Sequence, residues 1–465
     1  MTDFVAAATG VAERIEKARP LNAVLAFDRG VLLADAERLA REKVTGPLAG
    51  MALAVKDNIC TREYPTTCGS RILEGYRSPF EATAIRHLRA AGAMIACKAN
   101  LDEFAMGSST EYSAFGRVHH PMDPDRVPGG SSGGSAALVA AGTVDAALGS
   151  ETGGSVRQPA AFCGVVGIKP TYGRVSRYGL VAFGSSLDQI GIAARSVADA
   201  GRVLAVISQP DARDSTWATG HDVLSTEITP RSFKGLRIGR PKEYFPDSLA
   251  PAIRRACDSA LDAMRAQGAE IVDVSLPSTG YAIPCYYVIA PAEASSNLAR
   301  FDGARYGPRL GGAAVDVQAM YRATRGAGFG AEVRRRIIIG TFVLSSGYHD
   351  AYYTRALRVR GMLLADFLRV LGPAPHGVDL LFTPTTPTTA FKAGDNTADP
   401  VAMYLADIFT CPANLAGVPA VSLPIGRSEG LPIGGQFIAP RFGEARMLAA
   451  AAALEAIVAS TAEVR

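Results

Sequence analysis

Serine and glycine crowd one stretch of this chain in a pattern that suits acyl-transfer chemistry. Between residues 129 and 155 stand Gly129, Gly130, Gly133, Gly134, Gly142, Gly149, Gly153 and Gly154, interleaved with Ser131, Ser132, Ser135, Ser150, Thr152 and Ser155. Glycine permits positive φ and close approach of backbone to a ligand. Turns of this kind can aim several N–H groups at one point and so form an anion-binding concavity. A phosphate loop of the G-x-x-x-x-G-K-[ST] type does not fit, because no lysine follows the glycines. A nucleophile elbow fits in letters, since Gly129-Gly-Ser131-Ser-Gly133 reads G-x-S-x-G. That motif requires a strand directly before it and a downstream histidine. Here residues 123–128 read as a loop, and His221, His349 and His376 have no distinguishing context. Plain turns between core strands are the remaining alternative.

The neighbourhood argues for more than turns. Two Ser-Gly loops flank one apolar helix–strand unit, residues 135–142 and then 144–148, which could return the chain so that Ser131 and Ser155 meet. Upstream, Lys56 follows the apolar run Met51-Ala-Leu-Ala-Val55, a strand with a polar tip at Lys56-Asp57-Asn58. A lysine at the edge of an apolar core can lose its charge by desolvation and act as a base. A serine nucleophile needs a base within hydrogen-bond reach, and Ser–Lys pairs fill that role on unrelated folds.

Three segments together carry a resemblance. Ala54-Val-Lys-Asp-Asn, Gly129-Gly-Ser-Ser-Gly-Gly-Ser-Ala-Ala and Gly149-Ser-Glu-Thr-Gly-Gly-Ser-Val-Arg-Gln-Pro-Ala, with 75 residues from Lys56 to Ser131 and 24 more to Ser155, resemble the signature of the amidase signature family. The resemblance implies an α/β fold in which a central mixed β-sheet is covered by helices on both faces. It implies Ser155 as nucleophile, Ser131 as a bridging serine preceded by a cis peptide bond, and Lys56 as base. The backbone N–H groups of Thr152, Gly153, Gly154 and Ser155 would then form the oxyanion hole. Neutral Lys56 would take a proton from Ser131 as Ser131 takes one from Ser155, which attacks an amide carbonyl. No metal is required, and no metal-ligand spacing is present.

Within that family the chain is similar to the glutamine-hydrolysing subunits of tRNA-dependent amidotransferases, over roughly residues 20–460. The likeness rests on residues 162–180, 102–111 and 185–191, and in the C-terminal half on residues 335–353, 403–408 and 414–420. It implies that Arg336 holds the α-carboxylate of glutamine, for which a planar guanidinium is well suited, and that Asp407 meets the α-ammonium. It further implies the B and C subunits of such complexes as partners. Mischarged tRNA would be bound mainly by one of those partners, which would use ATP and Mg²⁺, and no cofactor would reside in this chain. The product would be Gln-tRNA(Gln) made from Glu-tRNA(Gln), with Asn-tRNA(Asn) from Asp-tRNA(Asn) as a further possibility. From charge alone, Arg334-Arg335-Arg336 reads as a solvated helix face and Asp407 as a surface acid or cap. Arg358 and Arg360 read as surface or packing residues, and His119 and His120 as an exposed loop. A free-standing amidase acting on aryl or aliphatic amides or ureides is the alternative function; a neutral substrate would not need Arg336 and Asp407. Three features depart from the pattern. The N-terminus reads as lacking much of the family's first helix, Glu151 stands where aspartate is commoner, and His119-His-Pro-Met replaces the usual segment.

These residues need a scaffold, and composition allows a large one. With 48% hydrophobic and 20% charged residues, the chain can bury an extensive core. Its 48 Lys+Arg against 44 Asp+Glu leave +4, too balanced for a purely electrostatic nucleic-acid binder. Helical spacing is read over Val11–Lys17, Leu33–Arg41, Ala82–Ala91, Val197–Ile207, Pro251–Gln267 and Glu444–Val458. Strands are read at Ala93–Cys97, Leu236–Gly239, Glu270–Val274, Asp379–Phe382, Ala420–Leu423 and Gly435–Ile438. The first 48 residues read as helical and surface-like. Alternation of this kind predicts a layered α/β fold. We expect a single domain over 1–465, with a signature core at about 49–208, a polar connection at 208–234 and a peripheral insertion at about 280–345. Seven scattered cysteines without C-x-x-C spacing point to a reduced, cytoplasmic setting. The start Met1-Thr-Asp-Phe lacks the features of a secretory signal. No apolar run reaches membrane-spanning length.

Overall fold

The computed structural model describes residues 3–312, 316–373 and 376–463. Eleven strands among them form one mixed sheet: β1 (Val24–Ala26), β2 (Ala52–Lys56), β3 (Met94–Ala99), β4 (Ala146–Glu151), β5 (Val166–Lys169), β6 (Gln189–Ala194), β7 (Arg237–Pro241), β8 (Glu270–Val274), β9 (Leu380–Pro384), β10 (Ala420–Ser428) and β11 (Leu431–Ile438). Their spatial order is β1-β3-β2-β4-β6-β5-β10-β11-β9-β7-β8. Strands β3, β2 and β4 are parallel neighbours, as are β9, β7 and β8, and antiparallel pairs join the two groups.

Period-2 alternation along β2 decides what faces where. Leu53 and Val55 belong to one core, with the strand residues Leu148, Ile168 and Ile192 and the helices α3 (Thr83–Ala90), α6 (Val197–Ile207), α7 (Pro251–Ala266) and α14 (Glu444–Glu463). Ala52 and Ala54 belong to a second core on the opposite face. It is built with α1 (Phe4–Lys17), α2 (Arg29–Arg41), α4 (Gly133–Ala140) and α5 (Arg157–Cys163). Lys56 shares the parity of Ala52 and Ala54, so its side chain leaves β2 on the face that carries α4 and α5.

A third apolar cluster gathers α8 (Ala282–Asn297), α10 (Ala331–Leu344), α11 (Arg355–Val370) and α13 (Cys411–Ala416) around Phe104, Phe183 and Phe301. Two further helices complete the set, α9 (Val317–Gly328) and α12 (Pro400–Leu405). Helices thus lie on both faces of the mixed sheet, as the resemblance implies.

Several local expectations need correction. The N-terminal segment is not a surface layer: Phe4, Val11, Ile15, Leu32 and Leu39 are buried, and β1 pairs antiparallel with β3. The tip Lys56-Asp57-Asn58 is polar but buried, because the serine loops close over it. Residues 208–234 contain no helix or strand, yet Leu224 and Phe233 fasten that connection to the core. All seven cysteines are free and buried. Among the described residues no helix is long and apolar enough to cross a membrane.

Candidate active site

Parallel pairing of β2 with β4, Leu53 opposite Ala146 and Val55 opposite Leu148, brings the carboxyl ends of both strands to one edge. That edge of an α/β sheet is where ligands commonly bind. Lys56 ends β2, and Ser150 and Glu151 end β4. Lys56 Nζ lies 2.7 Å from Ser131 Oγ, 2.8 Å from Ser132 Oγ and 3.1 Å from Ser150 O. Burial lowers the Lys56 amine to about 7, against the attraction of Asp102, Asp188 and Glu151. A buried amine surrounded by neutral oxygens pays the full cost of desolvation when charged.

Ser131 follows a cis peptide bond from Gly130. Gly130 is confined on every side. Its N–H donates to Gln158 Oε1 at 2.9 Å, and a Cβ there would collide with Asp102 Oδ2 and the backbone nitrogens of Ser109 and Thr110. Asp102 is itself anchored, accepting from the N–H groups of Thr110 at 2.9 Å and Tyr112 at 3.1 Å. The two serine loops meet through Ser132 N–H, which donates to Ser155 O at 3.1 Å. Ser131 Oγ and Ser155 Oγ are not hydrogen-bonded to each other in this structure. Catalytic hydrogen bonds are often long before substrate binds.

The loop from Thr152 to Ser155 is held at both ends. Thr152 Oγ1 donates to Asp188 Oδ1 at 2.9 Å. Glu151 Oε2 accepts from the N–H groups of Val156 and Arg157, both at 3.0 Å. Arg157 pairs with Glu151 Oε1 and reaches Gln436 Oε1 at 2.7 Å, Thr410 O at 2.7 Å and Asn414 Oδ1 at 2.6 Å. The N–H groups of residues 152–155 have no acceptor among the described residues, and Ser155 Oγ has no partner there either. Four free donors on a rigid loop can receive an oxyanion.

Two charges expected to act on substrate lie beside this loop. Asp407 is buried, with Oδ2 accepting from Ser108 Oγ at 2.6 Å and Oδ1 without a partner among the described residues. Burial pushes its carboxyl up to about 7. A Cβ on Gly154 would strike Asp407 Oδ1 and Thr410 Oγ1, so only glycine lets the loop approach this closely. Arg336 is 2% exposed, whereas Arg334 and Arg335 on the same helix are exposed. Its Nε donates to Glu332 Oε1 at 2.8 Å, while its terminal nitrogens have no partner among the described residues. The rings of Phe183, Tyr287 and Tyr404 surround the guanidinium at 5.7, 5.3 and 5.6 Å.

The expected site residues are linked in steps: Lys56 hydrogen-bonds Ser131, Gly154 closes on Asp407, and the charge of Arg336 acts on Asp407. The sequence reading missed Ser132, Asp188, Gln158, Ser108 and Glu332, each of which supports one of them. Ser132 is adjacent to Ser131 and was open to notice, but the others act through contacts that no local pattern signals. His120 is buried, not exposed: Nε2 lies 2.9 Å from Phe162 O, and the N–H groups of Met122 and Asp123 reach Nδ1. Arg360 is a packing residue, donating to Leu415 O and to Ser186. Among the described residues no group of three or more His, Cys, Asp or Glu side chains could hold a metal ion.

Residues 7–448 match the family model described as Amidase. The chain belongs to the amidase signature family. Relatives in that family are similar over nearly their whole length. The A subunit of the glutamyl-tRNA(Gln) amidotransferase of Carboxydothermus hydrogenoformans is 55% identical, covering 90% of this chain and 85% of that one. The corresponding A subunit of Koribacter versatilis is 51% identical, covering 98% and 96%. Among solved structures, the A subunit of the Thermotoga maritima glutamyl-tRNA(Gln) amidotransferase superposes with a TM-score of 0.80 at 43% identity, covering 97% of this chain and 91% of that one. The peptide amidase of Stenotrophomonas maltophilia superposes with a TM-score of 0.82 at 30% identity, covering 98% and 94%. Solved structures with this fold thus include both an amidotransferase subunit and a peptide amidase.

Proposed function

We propose that this chain is the glutaminase component of a tRNA-dependent amidotransferase and works through Ser155, Ser131 and Lys56. The observation that carries the reading is the pair of buried, incompletely partnered charges beside the serine loops. Asp407 Oδ1 lacks a partner among the described residues, and so do the Arg336 terminal nitrogens. Unfilled hydrogen-bonding capacity on a buried charged group is costly, and a ligand can fill it. An α-amino acid with a side-chain carboxamide supplies both complements, an ammonium and a carboxylate, a few bonds from its amide. A neutral amide supplies neither. The high identity to the A subunits of glutamyl-tRNA(Gln) amidotransferases supports the same substrate.

In the proposed mechanism, neutral Lys56 accepts the Ser131 proton while Ser131 accepts that of Ser155. Ser155 Oγ attacks the side-chain carboxamide carbon of glutamine. The N–H groups of residues 152–155 stabilise the tetrahedral oxyanion, each such donor being worth about 3–4 kcal/mol. Ser131 then gives the proton it took from Ser155 to the leaving nitrogen and recovers its own from Lys56, so ammonia departs and Lys56 is neutral again. Water deprotonated by Lys56 opens the Ser155 ester to give glutamate. Ammonia passes to the B subunit, which with the C subunit would complete a cytoplasmic complex. That B subunit would use ATP and Mg²⁺ to activate the mischarged tRNA.

Ammonia release from glutamine, by the chain alone and with its partners, ATP and mischarged tRNA, tests the reading. Strong stimulation on assembly that is lost in Arg336→Ala is expected. Ready hydrolysis of propionamide with no glutamine turnover in any mixture would point instead to a free-standing amidase.

A further inference from the structure

Two consecutive side chains tie the serine loop to the helix that carries Arg336. Asp102 fills the space beside Gly130, and its N–H donates to Ser131 O at 3.3 Å. Glu103, 2% exposed, turns the opposite way. Its Oε2 accepts from Gly330 N–H at 2.8 Å, and its Oε1 accepts from Ser70 Oγ. Gly330 is the N-cap of α10, and as glycine it offers no side chain to cap that helix. Ser70 Oγ also lies 3.2 Å from Gly328 O. Next to Glu103, the ring of Phe104 packs on Phe301 at 4.9 Å and Phe329 at 5.6 Å. Gly328 at the end of α9, Phe329 in the turn and the N-cap of α10 are therefore held by Ser70, Phe104 and Glu103 in turn.

Arg336 stands six residues beyond Gly330, about 9 Å along the helix at 1.5 Å per residue. Its hydrogen-bonded partner Glu332 belongs to the same helix, so that ion pair moves with α10, and Tyr404 Oη reaches Glu332 Oε1 from outside the helix at a long 3.4 Å. Packing against α8, where Gly340 meets the backbone of Pro291, fixes the middle and far end of α10. Glu103 fixes the near end.

We propose that Glu103 is a positioning residue: by holding Gly330 it sets α10, and with it the Arg336 guanidinium, at the distance from Ser155 that glutamine requires. This rests on Arg336 as the α-carboxylate ligand. Without Glu103 the Gly330 N–H loses its acceptor and the first turn of α10 loosens. Binding of the carboxylate weakens, while the serine centre, anchored separately through Asp102, keeps its chemistry.

The test compares wild type, Glu103→Ala, Glu103→Gln and Arg336→Ala in the assembled complex, with glutamine and with propionamide, which lacks the α-carboxylate. In Glu103→Ala the KM for glutamine should rise about tenfold, as expected for one lost buried hydrogen bond. Its kcat for glutamine and its kcat/KM for propionamide should stay within about twofold. Glu103→Gln, which can still accept from Gly330 N–H, should behave as wild type. Adding Glu103→Ala to Arg336→Ala should cost nothing further. Equal losses on both amides, or additivity with Arg336→Ala, would overturn the proposal. Amide hydrogen exchange over residues 329–337 of the full chain gives a readout independent of substrate. Faster exchange in Glu103→Ala, restored in Glu103→Gln, is expected, and unchanged exchange would refute the positioning role even if glutamine proves not to be the substrate.

Discussion

Lys56 and Lys98 stand on adjacent parallel strands, both fully buried, yet only Lys98 has an ion pair, with Asp57 Oδ1 at 3.0 Å. Lys56 Nζ meets two hydroxyls and a carbonyl oxygen instead. That difference separates a lysine held against a carboxylate from an amine that can be neutral. Burial holds the Lys56 amine near 7, well below its ordinary value. A base must be unprotonated, so kcat should climb about tenfold per pH unit below this value and level off above it. A pH–rate profile from about 5.5 to 9 checks this, and a flat profile across pH 7 would exclude Lys56 as the base. Lys56→Arg, which cannot lose its proton, should be inactive.

Ser131 and Ser132 lie almost equally close to Lys56 Nζ, but the two replacements should not be equal. Ser131→Ala breaks the proposed proton relay and should lower kcat by about 10²–10⁴. Ser132→Ala removes a side chain that bonds Lys56 Nζ and the backbone of Ser150 but carries no proton in the proposed relay, and should cost about tenfold. Ser155→Ala should abolish both turnover and covalent labelling by a serine-directed phosphonate, read by intact mass. Persistent labelling of Ser155→Ala would move the nucleophile elsewhere.

Asp407 should make glutamine affinity depend on pH. Burial raises its carboxyl to about 7, so below that pH it is increasingly protonated and cannot pair with an ammonium. KM for glutamine should therefore rise as pH falls from about 8 to 6, separately from any change in kcat. Asp407→Asn should raise KM about 10- to 100-fold at pH 8, in line with a lost charge-assisted hydrogen bond, and remove this pH dependence. Titration of KM in both proteins decides the matter.

Glu151 and Arg157 form a fully buried pair beneath the Thr152–Ser155 loop. Removing one member leaves the other charged and unpaired, at a cost of about 3–5 kcal/mol. Arg157→Met should lower the urea midpoint sharply and deactivate the enzyme. The double replacement Glu151→Gln with Arg157→Met should recover part of the stability but little activity, since the loop loses its anchor. Equal stability of the single and double replacements would show that the pair is not coupled.

Local sequence was enough for elements whose periodicity is strong. The stripe Ile253, Cys257, Leu261 and Met264 is buried along α7, and residues 197–207 form α6 between a serine N-cap and a polar connection. It was not enough for β5 and β6. Their glycines Gly167 and Gly191 break the apolar pattern, and they serve packing that only the assembled sheet reveals: a Cβ on Gly191 would meet Ile168 O of the neighbouring strand. The proposed Lys, Ser and Gly centre is likewise legible in sequence, because its three segments resemble the amidase signature. Whether Lys56 is charged, which of three neighbouring arginines is buried, and what holds Arg336 in place were decided by tertiary structure alone. Desolvation and hydrogen-bond partnership are set by residues brought together from distant parts of the chain, as Asp407 is by Ser108 and Gly330 by Glu103. No local pattern records such meetings.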